Sequence, residues 1–167
     1  MRIIQSARST NESIMEFEIA PGEKTPIHYH TLFSETFEIL KGTLEVSRNS
    51  EIIQLKKGDR ITIKPYDKHH FNNTSEEECV AKITISPGNL NFENSLLIFR
   101  GLVRDGLSNK SGIPKRFSDL ALFVFLNNSR MVGFQKVAEP LFNYIGKAAI
   151  KKGRLEVLLQ KYGKQTI

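Results

Sequence analysis

The chain has 167 residues, of which 40% are hydrophobic and 25% charged, and a net charge of +6. That length fits one domain or one domain with an appendage, and no apolar run approaches the ~20 residues of a membrane-crossing helix. A single cysteine, Cys79, excludes an intrachain disulfide and any thiolate-rich zinc or iron–sulfur centre, so a bound metal would have to use nitrogen and oxygen.

The opening MRIIQSARSTNES has no apolar stretch followed by a small-residue cleavage site, which makes a cytoplasmic setting the default expectation. Charge is unevenly spread. Residues 1–90 hold 11 Lys and Arg against 13 Asp and Glu, while residues 91–167 hold 13 against 5, giving −2 and +8. Such a basic stretch can attract nucleic acid or an anionic surface, but a solvated helix face is the plainer reading. No helix-turn-helix or aromatic RNA-binding pattern accompanies it, so neither nucleic acid nor membrane is expected as a partner.

Residues 1–87 read as strands. Met15, Phe17 and Ile19 alternate with Glu16 and Glu18; Glu35, Phe37 and Ile39 share a face; and Cys79, Ala81, Ile83 and Ile85 share another, opposite Lys82 and Thr84. Pro21-Gly22, Lys41-Gly42, Asn49-Ser50 and Lys57-Gly58 supply turns at intervals suited to an antiparallel sandwich or barrel. After Pro87-Gly88 the period changes. Phe92, Leu96, Phe99 and Val103 imply a helix stopped by Gly106, and Leu107 to Lys115 reads as a loop. Ser118 is expected to cap a second helix through about Leu126, whose LALFVFL run is apolar all round and needs cover from its neighbours or a dimer partner. A third helix starts near Pro140, and a fourth holds Leu155, Leu158, Leu159 and Tyr162. The expected division is a β domain over 1–88 and an α-helical extension over 89–167, packed on the β domain or at a dimer interface.

The four histidines fall in two clusters, His28/His30 and His69/His70. Residues i and i+2 of a strand point to the same side, so His28 and His30 present two imidazoles together while Tyr29 faces away. Glu35 opens the next strand, with its carboxylate on the face of Phe37 and Ile39. Three imidazoles and one carboxylate suit Mn, Fe, Ni, Co or Zn better than Ca or Mg, which prefer all-oxygen shells.

These residues carry a resemblance. Gly22-x5-His28-x-His30-x4-Glu35-x6-Gly42 resembles the first motif of the cupin superfamily at every fixed position and spacing. The second motif is matched at Gly58, His69 and Asn73, whereas its proline falls one place late at Pro65 and Tyr66 stands where a glycine is usual. Counting from Pro65 points to His70 as the ligand; counting from Gly58 and from Asn73 points to His69, and two anchors outweigh one. The resemblance covers about residues 13–87. It implies a mainly β fold, a double-stranded β-helix or jelly-roll barrel, with His28, His30, Glu35 and His69 as metal ligands, and Phe37, Phe71 and Asn73 lining the pocket. The stretch from Gly101 to Gly106, with Asn109, Gly112 and Pro114, resembles the tail of small bacterial cupins; Arg104 and Asp105 within it are expected to cap the helix and tie its end to the barrel.

Four protein ligands leave an octahedral ion two open positions, which a small oxygen-rich molecule can chelate. A dioxygenase- or isomerase-type enzyme is one expectation, and a non-catalytic ligand-binding or regulatory protein is the other. No catalytic residue beyond the ligands is evident. A homodimer is expected, because the LALFVFL helix and the barrel's edge strands need cover.

Overall fold

The computed structural model describes residues 1–109 and 112–163. The chain divides into two compact units, Met1–Asn89 and Leu90–Ile167.

The first unit is built of antiparallel strands: β1 (Arg2–Gln5), β2 (Ser13–Ile19), β3 (His28–Tyr29), β4 (Ser34–Lys41), β5 (Thr43–Arg48), β6 (Glu51–Lys56), β7 (Arg60–Ile63), β8 (His69–Asn72) and β9 (Cys79–Ser86). One sheet runs β1-β2-β9-β4-β7, and within this unit the other runs β3-β8-β5-β6. The period-two alternation is what sorts the side chains. In β9, Cys79, Ala81, Ile83 and Ile85 are at most 4% exposed, while Lys82 and Thr84 between them reach solvent. Register aligns these rows across the sheet, because Ile83 lies opposite Met15 of β2 on one side and Phe37 of β4 on the other. The facing sheet contributes Leu44, Val46 and Leu55. Cys79 is fully buried, and burial pushes its thiol up to about 11, so it behaves as a small core residue.

The β4–β5 turn depends on Gly42. Its φ of 75° lies in the left-handed region, and a Cβ there would sit 2.9 Å from the Glu78 carbonyl oxygen. Tyr66 adopts the same region at φ 72°, although it has a side chain. It is held there by its surroundings. Its N–H donates to the His30 carbonyl at 2.8 Å, and Asp67 Oδ2 accepts the Lys64 N–H at 3.1 Å. The second-motif loop therefore keeps a glycine-like turn at roughly 1–3 kcal/mol of local strain.

The second unit contains α1 (Leu90–Arg104), α2 (Phe117–Leu126), a short strand β10 (Arg130–Met131), a 3-10 helix (Gly133–Ala138), α3 (Glu139–Lys151) and α4 (Arg154–Tyr162). Ile98, Leu102, Leu122, Leu126, Leu158 and Tyr162 form its core. Gly101 lets α1 and α4 approach, since a Cβ at that position would overlap the Tyr162 ring. Gly106, at φ 69°, ends α1, and the Leu107 N–H returns to the Leu102 carbonyl at 2.8 Å.

Two expectations are corrected here. Ser118 does not cap α2: the N-cap is Arg116, and the Ser118 hydroxyl, inside the first turn, accepts from Arg116 Nε at 2.9 Å. Asp105 does tie down the end of α1, but the tie runs to α4, through the Tyr162 hydroxyl at 2.9 Å and Lys161 Nζ at 2.7 Å. The LALFVFL helix finds much of its cover within the chain, with Ala121, Leu122 and Leu126 buried. Its Asp119 is also buried, held by two bonds from Arg154 at 2.8 and 2.7 Å.

Candidate metal centre

The alternation of β3 and β8 sets the site. His28 lies opposite His69 in the strand pairing, so the two side chains emerge on the same side. His30, one residue past the end of β3, keeps the parity of His28 and is 3% exposed. Ring nitrogens of His28, His30 and His69 all lie within 4.8 Å of one another. The ring centroids are 4.9 Å apart for His28 and His30, 4.4 Å for His28 and His69, and 5.3 Å for His30 and His69.

Glu35 reaches the same cluster from β4, in the facing sheet. Its Oε2 is 3.0 Å from His69 Nε2 and 3.8 Å from His30 Nε2. The structure thus brings together all four residues read as ligands. His70 points elsewhere, as its place opposite Ser47 on β5 dictates, and it is not a member of the three-histidine group.

Backbone carbonyls fix two of the imidazoles. His28 Nδ1 is 2.8 Å from the Pro26 carbonyl oxygen, and His69 Nδ1 is 3.0 Å from that of Asp67. An Nδ1–H donating to a carbonyl two residues back leaves Nε2 to face the cluster, the arrangement that orients metal-ligating histidines.

Electrostatics divide the imidazoles. Burial, followed by the nearby His69 and His30, lowers His28 to about 3, so it stays neutral with a lone pair available for a cation. For Glu35, burial pushes the carboxyl up, but the hydrogen bond from His69 and the three imidazoles outweigh it and hold the group below the usual carboxylate range. Burial lowers His69, and the hydrogen bond and charge of Glu35 overcome this to raise it. The pair thus favours a proton on His69 over one on Glu35. A donor set of three buried or half-buried imidazoles and one carboxylate fits a borderline divalent ion.

The expected pocket residues differ in role. Phe37 is buried and meets Phe71 edge-on across the sheets at 6.3 Å. Asn73 is fully buried just past β8, but its amide is spent on the turn: Nδ2 donates to the Ile19 and Glu77 carbonyls at 2.9 and 2.8 Å, and Oδ1 accepts from the Ser75 N–H and hydroxyl. Its side chain anchors the loop that follows β8. Phe33 went unnoticed in the sequence. Its ring packs 4.6 Å from that of His30 and is 1% exposed, and the only signal was its being the aromatic residue within the loop between His30 and Glu35.

A double-stranded barrel with a histidine cluster between its sheets defines the cupin class, and residues 15–86 match the cupin domain family. The barrel unit is thus similar to a cupin domain, and helices follow it in the chain. Among curated proteins it is similar to the tetracenomycin polyketide synthase protein TcmJ of Streptomyces glaucescens, 26% identical over 82 residues, covering 49% of this chain and 55% of that one. It is also similar to the polyketide synthase CurC of Streptomyces cyaneus, 31% identical over 67 residues, 40% of this chain and 44% of the relative. The chain thus spans about half the length of the curated relatives it matches. Among solved structures, KdgF from Halomonas sp. superposes with a TM-score of 0.50 at 18% identity over 54% of this chain and 79% of the other, a likeness of fold.

Proposed function

We propose that the barrel holds one divalent transition-metal ion through His28, His30, His69 and Glu35, and that the protein uses it to chelate a small oxygen-rich molecule as a dioxygenase- or isomerase-type enzyme. The observation that carries this reading is the convergence of three imidazoles, with ring nitrogens within 4.8 Å of one another, on a carboxylate from the opposite sheet.

Iron, manganese, nickel, cobalt or zinc suits this donor set, and such an ion supplies Lewis acidity or, for iron, redox chemistry with dioxygen. The chain's own residues do the rest. His28 offers a neutral imidazole, Glu35 would offset the ion's charge as a buried carboxylate, and Phe33, Phe37 and Phe71 give the surroundings an apolar character. That two relatives are named as polyketide synthase proteins supports a ligand bearing several carbonyl or enol oxygens.

The test is elemental analysis of protein purified without a chelating column, followed by addition of a catechol or an α-hydroxyketone to the loaded protein. Iron with oxygen uptake supports the dioxygenase form, and turnover without oxygen uptake supports the isomerase form. A bound metal with a ligand-induced spectral change and no turnover would instead make the protein a binding module.

A further inference from the structure

The 3-10 helix and α3 present a row of large apolar side chains to solvent. Phe134 is 87% exposed, Val137 84%, Tyr144 72% and Leu141 54%. Side chains three apart eclipse in a 3-10 helix, which sets Phe134 and Val137 on one edge. The backbone stays right-handed and helical through Ala138 and Glu139, so Leu141 and Tyr144 continue outward one and two turns on, and exposed Lys147 and Lys151 follow. The opposite side of α3 buries Gly146 and Ala149. Scattered exposed apolar residues are ordinary, but four in one row mark a surface made for contact.

Charge narrows the partner. The acids of this unit are largely consumed: Asp105 pairs with Lys161, Asp119 with Arg154 and Glu139 with Arg130, and Glu93 is buried. Lys136, Lys147, Lys151 and Lys152 stay exposed along the same stretch. A second copy of this face would set lysine against lysine. Nucleic acid would meet the lysines but leave Phe134, Val137 and Leu141 in water. An anionic bilayer satisfies both halves, since the acyl boundary receives the apolar groups, tyrosine sits at headgroup depth and lysines meet phosphates.

We propose that residues 134–151 form a peripheral docking face for a membrane surface rich in anionic phospholipid. This departs from the expectation of no membrane partner, and it is compatible with the finding that no helix among the described residues is long and apolar enough to cross a bilayer.

The test is flotation of the full chain with vesicles of phosphatidylcholine alone and of equal parts phosphatidylcholine and phosphatidylglycerol. Partition should favour the anionic vesicles and fall as salt is raised. Phe134→Ser with Val137→Ser should lower it by at least about tenfold, and Lys147→Gln with Lys151→Gln by roughly fivefold per charge. All four side chains are exposed, so circular dichroism and melting of the variants should match the parent and show that folding is intact. Equal partition onto both vesicle types, no partition onto either, or unchanged partition by the Phe134/Val137 variant would overturn the proposal. So would a doubled mass in light scattering that the Phe134/Val137 variant returns to one chain, because a second copy would then be what covers the face.

Discussion

His69 Nε2 lies 3.0 Å from Glu35 Oε2, a contact that joins the two sheets of the barrel at its histidine cluster. With Nδ1 directed at the Asp67 carbonyl, both ring nitrogens of His69 face oxygen atoms, and the Glu35 carboxylate raises the imidazole's affinity for a proton.

A metal ion must displace any proton that His69 holds, because a ligating imidazole is deprotonated. Binding should release protons, with the release growing as pH falls, read by calorimetry in buffers of different ionisation enthalpy. In Glu35→Gln the release should shrink, because His69 loses the carboxylate that raises its affinity for a proton. Glu35→Ala should weaken metal affinity by at least about 10-fold without abolishing it, since three imidazoles remain.

His28 gives the metal-free protein a pH dependence of definite sign. The unfolded chain takes up a proton at His28 near its ordinary 6.5, whereas the folded chain resists until about 3. Acidification through that window therefore favours the unfolded state, by up to about 1.4 kcal/mol per pH unit. His69 acts oppositely, its raised value contributing stability that is present below 6.5 and lost as pH rises through the folded value. Urea denaturation of the metal-free parent and of His28→Gln, at about pH 7.5 and about pH 5.5, should show a smaller acid loss in the variant. An equal loss would mean that His28 is not held neutral.

Gly42 and Gly22 share φ 75°, but only Gly42 has backbone close behind it. Gly22→Ala should cost about 1 kcal/mol, the left-handed penalty alone, and Gly42→Ala about 2–3 kcal/mol, because its new methyl also meets the Glu78 carbonyl oxygen. Chemical denaturation of both variants separates the two contributions.

In the helical unit, Arg154→Met leaves the Asp119 carboxylate buried without its bidentate partner and should destabilise by about 3 kcal/mol. Asp119→Leu combined with Arg154→Met should recover most of that loss, as an apolar pair of similar volume replaces the ions. Thermal melting of single and double variants decides it.

Much of the barrel was legible because parity on a strand is unforgiving. His28, His30, Glu35 and His69 were read from i, i+2 spacing and motif distances, and counting from Gly58 and Asn73 favoured His69 over His70; the structure brings the four side chains into one cluster. What alternation cannot convey is backbone chemistry. The carbonyls of Pro26 and Asp67 that aim the imidazoles leave no trace in side-chain pattern, and neither does the surrounding loop that keeps Tyr66 in a glycine conformation. Asn73 was read as an inward residue two places after Phe71, and its bonds to the Ile19 and Glu77 carbonyls depend on which acceptors the neighbouring turns offer. For the helices, period located α1, α3 and α4, whereas the start of α2 slipped because Arg116, a poor capping residue, occupies the N-cap. The row from Phe134 to Tyr144 crosses from a 3-10 to an α-helix, so no single period reveals it.

The most direct test of the metal centre is the metal content per chain of the parent, His69→Ala and His70→Ala after identical loading and gel filtration. The parent and His70→Ala should retain close to one ion per chain, and His69→Ala should retain far less, because only His69 faces His28, His30 and Glu35. If His70→Ala empties the site while His69→Ala does not, or if neither change alters the metal content, the four-residue centre described here is not where this protein binds its ion.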